Sequence, residues 1–244
     1  MEKLVNQLNK ELIDLYTSKY SILTKKINDY NISVDNKINR ATNPLMLKVN
    51  NDWVKADLKV MVFGQENNIW GGEFGNDGAF CGQINEIINI YEKFYLNDEM
   101  YACPFWNEYR NLRNQIKKQD KNISFLWNNV VKIGRLGIGC LPEIHKITTE
   151  NFNVISDEIN ILKPDVLIFF TGPNYDNKIF DSLGKHSKIS IGNFNPRQIC
   201  EIKFDTDYNL KYSIRTYHPG YLYRNKERKR IHIEELVLNV NKNI

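Results

Sequence analysis

The chain has 244 residues, 42% of them apolar, and a formal net charge of +4. That composition excludes a disordered chain, and the longest apolar run, Val166 to Phe170, is far short of the roughly 20 residues a membrane-spanning helix needs. The charge is too small to identify a nucleic-acid partner, so any such case rests on where the cations cluster.

In chain order, Leu4, Leu8, Leu12, Leu15 and Tyr16 recur at helical spacing and predict one or two amphipathic helices over residues 1–30. Residues 31–44 are polar, contain breakers and read as a connecting segment. Leu58 to Gly64 reads as a strand ended by glycine, and the glycine-rich stretch 65–82 as a long functional loop. Gln83 to Leu96 returns to a helical period, and Ile123 to Gly134 reads as a second buried strand. A helix capped by Thr148 or Thr149 is expected to stop at Pro164, followed by a strand from Asp165 towards Gly172. Two hairpin-like strands joined by residues 206–209 come next, and a helix from Lys226 to about Asn239 closes the chain. This alternation predicts an α/β fold, layered, with a mainly parallel sheet.

The N-terminus carries charges and no apolar leader run, and the four cysteines show no CxxC pair. A reduced, cytoplasmic protein without a zinc ribbon or disulfide framework is expected. The histidines have no metal-ligand spacing, and neither a phosphate loop nor a dinucleotide fingerprint is present. No metal or cofactor is expected. Asp176 and Asp181 read as solvent-facing.

In α/β folds of this kind ligands bind at the carboxyl ends of the strands. Three such ends carry chemistry: Gly64-Gln65-Glu66, Asn128-Asn129 and His218. Glu66 reads either as a carboxylate that orients water or stabilises a cation, or as a solvated glutamate in a plain turn. The Asn128-Asn129 pair inside a strand must satisfy its amides. Asn129 either reads the donor–acceptor edge of a ligand or serves a nearby loop backbone. Pro219 biases His218 towards extended backbone, and a neutral imidazole can donate to an oxygen that gains charge. Arg224, Lys226, Arg228, Lys229 and Arg230 read as phosphate contacts or as a solvated basic face.

Taken together, "GQE" at 64–66, "GAFCG" at 78–82, "NVVK" at 129–132, "LKPDVLIFFTG" at 162–172 and "TYHPGYLYRN" at 216–225 resemble the ordered motifs of the uracil-DNA glycosylase superfamily. The nearest branch is the iron–sulfur, thermophile-type one. Ile133 stands where that branch has a cluster cysteine, so no cluster is expected, and Asn67-Asn68 stand where the first motif usually carries proline. The resemblance implies a three-layer α/β/α sandwich over residues 51–244, preceded by a helical extension over 1–50. It also implies DNA as partner and hydrolytic removal of a flipped uracil or other damaged base. Glu66 and His218 would be catalytic. Gly64, Gln65, Phe80 and Asn129 would bind the base. Lys132, Tyr221, Leu222, Arg224, Lys226 and Arg228 would hold the DNA. The alternative is a non-catalytic nucleic-acid- or nucleotide-binding module of the same fold.

Overall fold

A computed structural model of the chain describes residues 1–75, 82–116 and 121–244. The long N-terminal helix α1 (Glu2–Ser33) leads through a single turn at Lys37–Asn39 and a short α2 (Asn51–Lys55) into β1 (Leu58–Asn68). Then come α3 (Ile84–Tyr91), continued by a wider turn through Leu96, α4 (Pro104–Gln115) and β2 (Ile123–Arg135). The helices α5 (Pro142–Asn151) and α6 (Ile155–Leu162) precede β3 (Val166–Phe170), and α7 (Asp176–Leu183) precedes β4 (His186–Ser190). The chain ends with β5 (Ile199–Phe204), β6 (Tyr212–Thr216), the short α8 (Pro219–Leu222) and α9 (Lys226–Asn243). No helix among the described residues is long and apolar enough to cross a membrane.

The six strands among the described residues lie in the order β2-β1-β3-β6-β5-β4. The first four are mutually parallel, and β5 is antiparallel to β6 and to β4. Side chains alternate across β2 and define the layers. Asn128 and Lys132 reach Glu158 of α6, while Trp127 packs on Tyr91 of α3 and Trp106 of α4. Helices therefore cover both faces of a mostly parallel sheet.

β1 and β2 run past their neighbour. The pairing of β1 with β3 stops at Phe63–Phe169, whereas β1 and β2 stay paired to Asn68–Arg135 across a bulge. The expected strand end at Gly64 is thus a strand interior, and Glu66 lies opposite Val131 in the ladder rather than at a free tip. Gly134 is required by this extension, because a Cβ there would meet the Asn67 carbonyl oxygen at 1.7 Å. The overhang forms a wall beside the carboxyl ends of β3 and β6.

Several expectations need correction, each for a tertiary reason. Residues 41–44, read as the end of a connector, are buried, as are residues 45–47 after them. They lie along the outer edge of β2, where Thr42 N–H donates to Gly134 O at 3.1 Å and Leu45 N–H to Lys132 O at 2.8 Å. A sheet edge needs partners for its backbone, and this segment supplies them. Thr148 is not a cap but sits inside α5, its hydroxyl donating to Ile144 O. The helix that stops before Pro164 starts at Ile155, and Lys163 ends it in the left-handed conformation at φ 47°. The strand β4 and the helices α4 and α7 lie in stretches to which no element is assigned above.

The N-terminal helix shares the core of the sheet: Leu12, Tyr16, Leu23 and Ile27 are fully buried in one continuous apolar cluster. Its anchor is polar. The Tyr16 hydroxyl donates to Glu158 at 2.7 Å and accepts from Leu47 N–H at 2.9 Å. Glu158 also pairs with Lys132 at 2.7 Å and accepts from Asn128 at 2.9 Å, with both charged side chains essentially unexposed.

Candidate active site

The overhanging strands, the start of α4 and the turn after β6 enclose a cavity of about 550 Å³, a size typical of sites for small organic ligands. Gly64, Gln65 and Glu66 of β1, Asn129 of β2 and His218 in the turn after β6 all line it. Its apolar walls come from Trp70, Phe94, Tyr101, Phe105, Trp106 and Trp127. These rings are interlocked: Trp127 stacks on Tyr91 at 5.9 Å and meets Trp106 edge-on at 4.8 Å and Trp70 edge-on at 5.4 Å. Such packing fixes these walls of the cavity against one another.

His218 lies two residues beyond the end of β6, and Pro219 begins α8 behind it. The ring nitrogen Nδ1 accepts from Gly220 N–H at 3.0 Å. A neutral imidazole that accepts at Nδ1 carries its proton on Nε2. Burial pushes the His218 pKa down to about 4, because a charged ring is poorly solvated there. The ring is also stacked on Phe105, centroids 5.8 Å apart and nearly parallel. The result at neutral pH is an uncharged N–H donor in a site of low polarity. The sign of the shift sets a pH window. The unfolded chain binds the proton near 6.5 and the folded chain near 4, so stability contributed by neutral His218 is complete above about 6.5 and lost as pH falls towards 4. Nitrogen-detected NMR is expected to find His218 as the Nε2–H tautomer at pH 7, with no titration until about pH 4; a midpoint near 6.5 would contradict the buried geometry.

Glu66 is half-buried, and one carboxylate oxygen, Oε2, accepts from the Tyr175 hydroxyl. Gln65 turns the other way, its amide donating to Thr171 O at 2.7 Å and tying β1 to the end of β3.

Asn129 belongs to a relay of fixed polarity. Trp127 Nε1–H can only donate, and it donates to Asn129 Oδ1 at 3.2 Å. Asn129 Nδ2 then donates to Asn67 Oδ1 at 2.5 Å, and Asn67 Nδ2 donates to Lys132 O at 2.6 Å, which can only accept. Both ends of the chain dictate the amide orientations, so neither amide can be flipped without loss. Asn129 retains one N–H and one lone pair for a ligand. A Cβ on Gly64 would come within 2.3 Å of Asn129 Oδ1 and 3.2 Å of the Phe105 ring, so only glycine lets the two strands and α4 approach this closely. Asn67, which stands where the first motif usually carries proline, therefore has its own task of orienting Asn129.

The residues expected to hold DNA divide. Tyr221, Arg224, Lys226 and Arg228 are exposed and follow directly on the cavity-lining Gly220. The Arg228 guanidinium lies 5.2 Å and that of Arg224 5.8 Å from the Tyr221 ring centre, and Arg228 also donates to the Tyr221 hydroxyl. Leu222 is fully buried and fastens α8 to the core, so it is no DNA contact. Lys132 is also buried and is spent on Glu158, so it is no phosphate contact. Asp176, expected in solvent, is clamped by Arg215 at 3.2 Å and Lys188 at 2.7 Å. Phe80 lies outside the described residues.

Phe105, Asn67 and Tyr175 join the site beyond its expected residues. Signals for them exist: "CPFW" opens a helix with proline at its first position and two adjacent aromatics. The polar run "TGPNYDN" after β3 places a tyrosine and an aspartate where a simple turn needs neither.

The class these features define is an α/β protein with a mostly parallel sheet and, at the carboxyl ends of its strands, an aromatic-walled cavity onto which Glu66, Asn129 and His218 open. No protein-family model matches the chain, and no curated protein matches it by sequence.

Proposed function

We propose that the protein is a DNA glycosylase-like hydrolase that excises a flipped uracil or another damaged base from DNA. The observation that carries this reading is a neutral His218 with its proton on Nε2, lining the same aromatic cavity as Glu66. An enzyme that breaks an N-glycosidic bond must stabilise opposite charges on base and sugar. As the C1′–N bond breaks, its electron pair goes to the base and charge gathers on a carbonyl oxygen, which accepts from His218 Nε2–H. The sugar gains positive charge, which the Glu66 carboxylate offsets. The oxygen of a water then bonds to C1′, its proton passes to Glu66 and on to solvent, and the departed base takes a proton from solvent. The aromatic walls support stacking of an extruded base and keep the dielectric low. One N–H and one lone pair of Asn129 suit the edge of a pyrimidine. Arg224 and Arg228, grouped round Tyr221, and the exposed Lys226 next in sequence suit the phosphates of the distorted strand.

The test is a labelled oligonucleotide with one deoxyuridine, treated with alkali after incubation, with wild type and a Glu66→Ala/His218→Ala double variant side by side. Cleavage by wild type alone is the expected result. If wild type cleaves neither this substrate nor a panel of other deaminated and oxidised bases, yet retains DNA, the non-catalytic binding module replaces the hydrolase.

A further inference from the structure

Tyr175 has no role in the motifs that resemble the glycosylases, yet its hydroxyl is the one protein partner of the Glu66 carboxylate among the described residues. The tyrosine is placed with care. It ends a tight turn, Pro173–Tyr175, that Gly172 enters with φ 73°. Gly172 N–H donates to Thr216 O at 2.9 Å and Tyr175 N–H to Gly172 O at 3.2 Å, so the turn is bound to the end of β6, two residues before His218. The next residue, Asp176, is gripped by Arg215, whose buried guanidinium also donates to Pro196 O at 2.5 Å and Arg197 O at 2.9 Å. Lys178 lies 4.6 Å from the centre of the Tyr175 ring. A buried arginine thus fixes the backbone, and the backbone aims the phenol at Glu66.

The phenol itself stays protonated. Burial pushes its pKa far up, and the charge of Glu66 and the hydrogen bond to it push it further. It is therefore a permanent donor.

We propose that Tyr175 is a positioning residue for Glu66: by holding Oε2 it fixes the carboxylate so that Oε1, which has no protein partner among the described residues, is left for the attacking water or the cationic sugar. This rests on the glycosylase reading and extends it to a residue outside the recognised motifs. No bond is made or broken at Tyr175; the water proton goes to Glu66 as above.

The experiment compares wild type, Tyr175→Phe, Glu66→Gln and the double variant in single-turnover excision. Affinity is measured in parallel on the same oligonucleotide carrying a tetrahydrofuran abasic analogue. The phenylalanine keeps the ring, and a melting curve checks the fold. Tyr175→Phe is expected to slow the chemical step about tenfold or more, part of what a positioned general base contributes, while leaving affinity for the analogue unchanged. The double variant is expected to be no slower than Glu66→Gln alone, because residues that act as a unit are not additive. A wild-type rate for Tyr175→Phe, or losses that multiply in the double variant, would overturn the proposal while the glycosylase reading stands. Full activity of Glu66→Gln would remove the role of Glu66 and that of Tyr175 with it. Absence of excision by wild type on every base tested would remove the glycosylase reading and this inference together.

Discussion

His218→Ala is expected to slow base excision about 100-fold or more while DNA affinity changes little, the usual cost of losing one preorganised donor to a developing oxyanion. The reasoning starts from the tautomer. Gly220 N–H occupies Nδ1, so Nε2 must carry the proton of the neutral ring. The donor is in place before substrate arrives, and Pro219 and the stacked Phe105 hold the ring. Its contribution grows only as charge develops on the base, so it belongs to the rate and not to binding. Single-turnover kinetics and affinity for an abasic analogue separate the two. Equal losses in both would assign His218 to binding, and an unchanged rate would remove it from the chemistry. Because the ring is neutral down to about pH 4, the His218 contribution is expected to be constant from pH 8 to 5.

The second large effect concerns the fold. Lys132→Met is expected to cost roughly 3–5 kcal/mol of stability, because it strands Glu158 as an unpaired charge in the core. Glu158 would keep its hydrogen bonds from Tyr16 and Asn128, but neither carries charge. Burial already works against the lysine, pulling its pKa below the ordinary range, with Glu158 pulling the other way. The pair is therefore retained at a cost that each partner offsets for the other. Lys132→Met combined with Glu158→Leu is expected to be clearly less destabilising than the sum of the single changes, since the double variant leaves no lone charge. Urea unfolding midpoints of the four proteins give the coupling. Additive losses would show that the two side chains do not act as a pair. Tyr16 ties α1 to the same carboxylate, so limited proteolysis of α1 in the Lys132→Met protein is a second readout.

What the chain makes legible follows from how local each signal is. The apolar period of Leu12 and Tyr16, the run Val166 to Phe170 and the stop at Pro164 depend on neighbours a few positions away, and α1, β3 and the end of α6 lie where those signals place them. β4 carries no such signal. Its five residues are largely exposed, among the described residues it pairs only with β5, and an edge strand in solvent needs no apolar alternation. The reach of β1 beyond Gly64 was hidden because glycine is a usual strand terminator. Only β2 alongside it explains why the strand continues.

The candidate site divides in the same way. Glu66, Asn129 and His218 stood out because a charged, an amide and an imidazole side chain sit at or near ends of β-like runs, a pattern visible in one dimension. That they share one cavity is decided by strand order: β1 lies between β2 and β3, and β6 lies beside β3, so their carboxyl ends converge. Lys132 and Leu222 were placed on the DNA by their positions in motifs. Lys132 is buried because β2 is covered on both faces, and Leu222 because its side of α8 meets the core while Tyr221 and Tyr223 stay exposed. The sequence by itself determined that α1, β1, β2, β3, β5, β6 and α9 exist and that Glu66, Asn129 and His218 carry chemistry, because those depend on short-range periodicity and on residue type. Only the tertiary structure decided the partners of those side chains: Tyr175 with Glu66, Asn67 with Asn129 and Glu158 with Lys132. Those pairings join residues 26 to 109 positions apart, and a separation of that size closes only when the sheet has set its order and register.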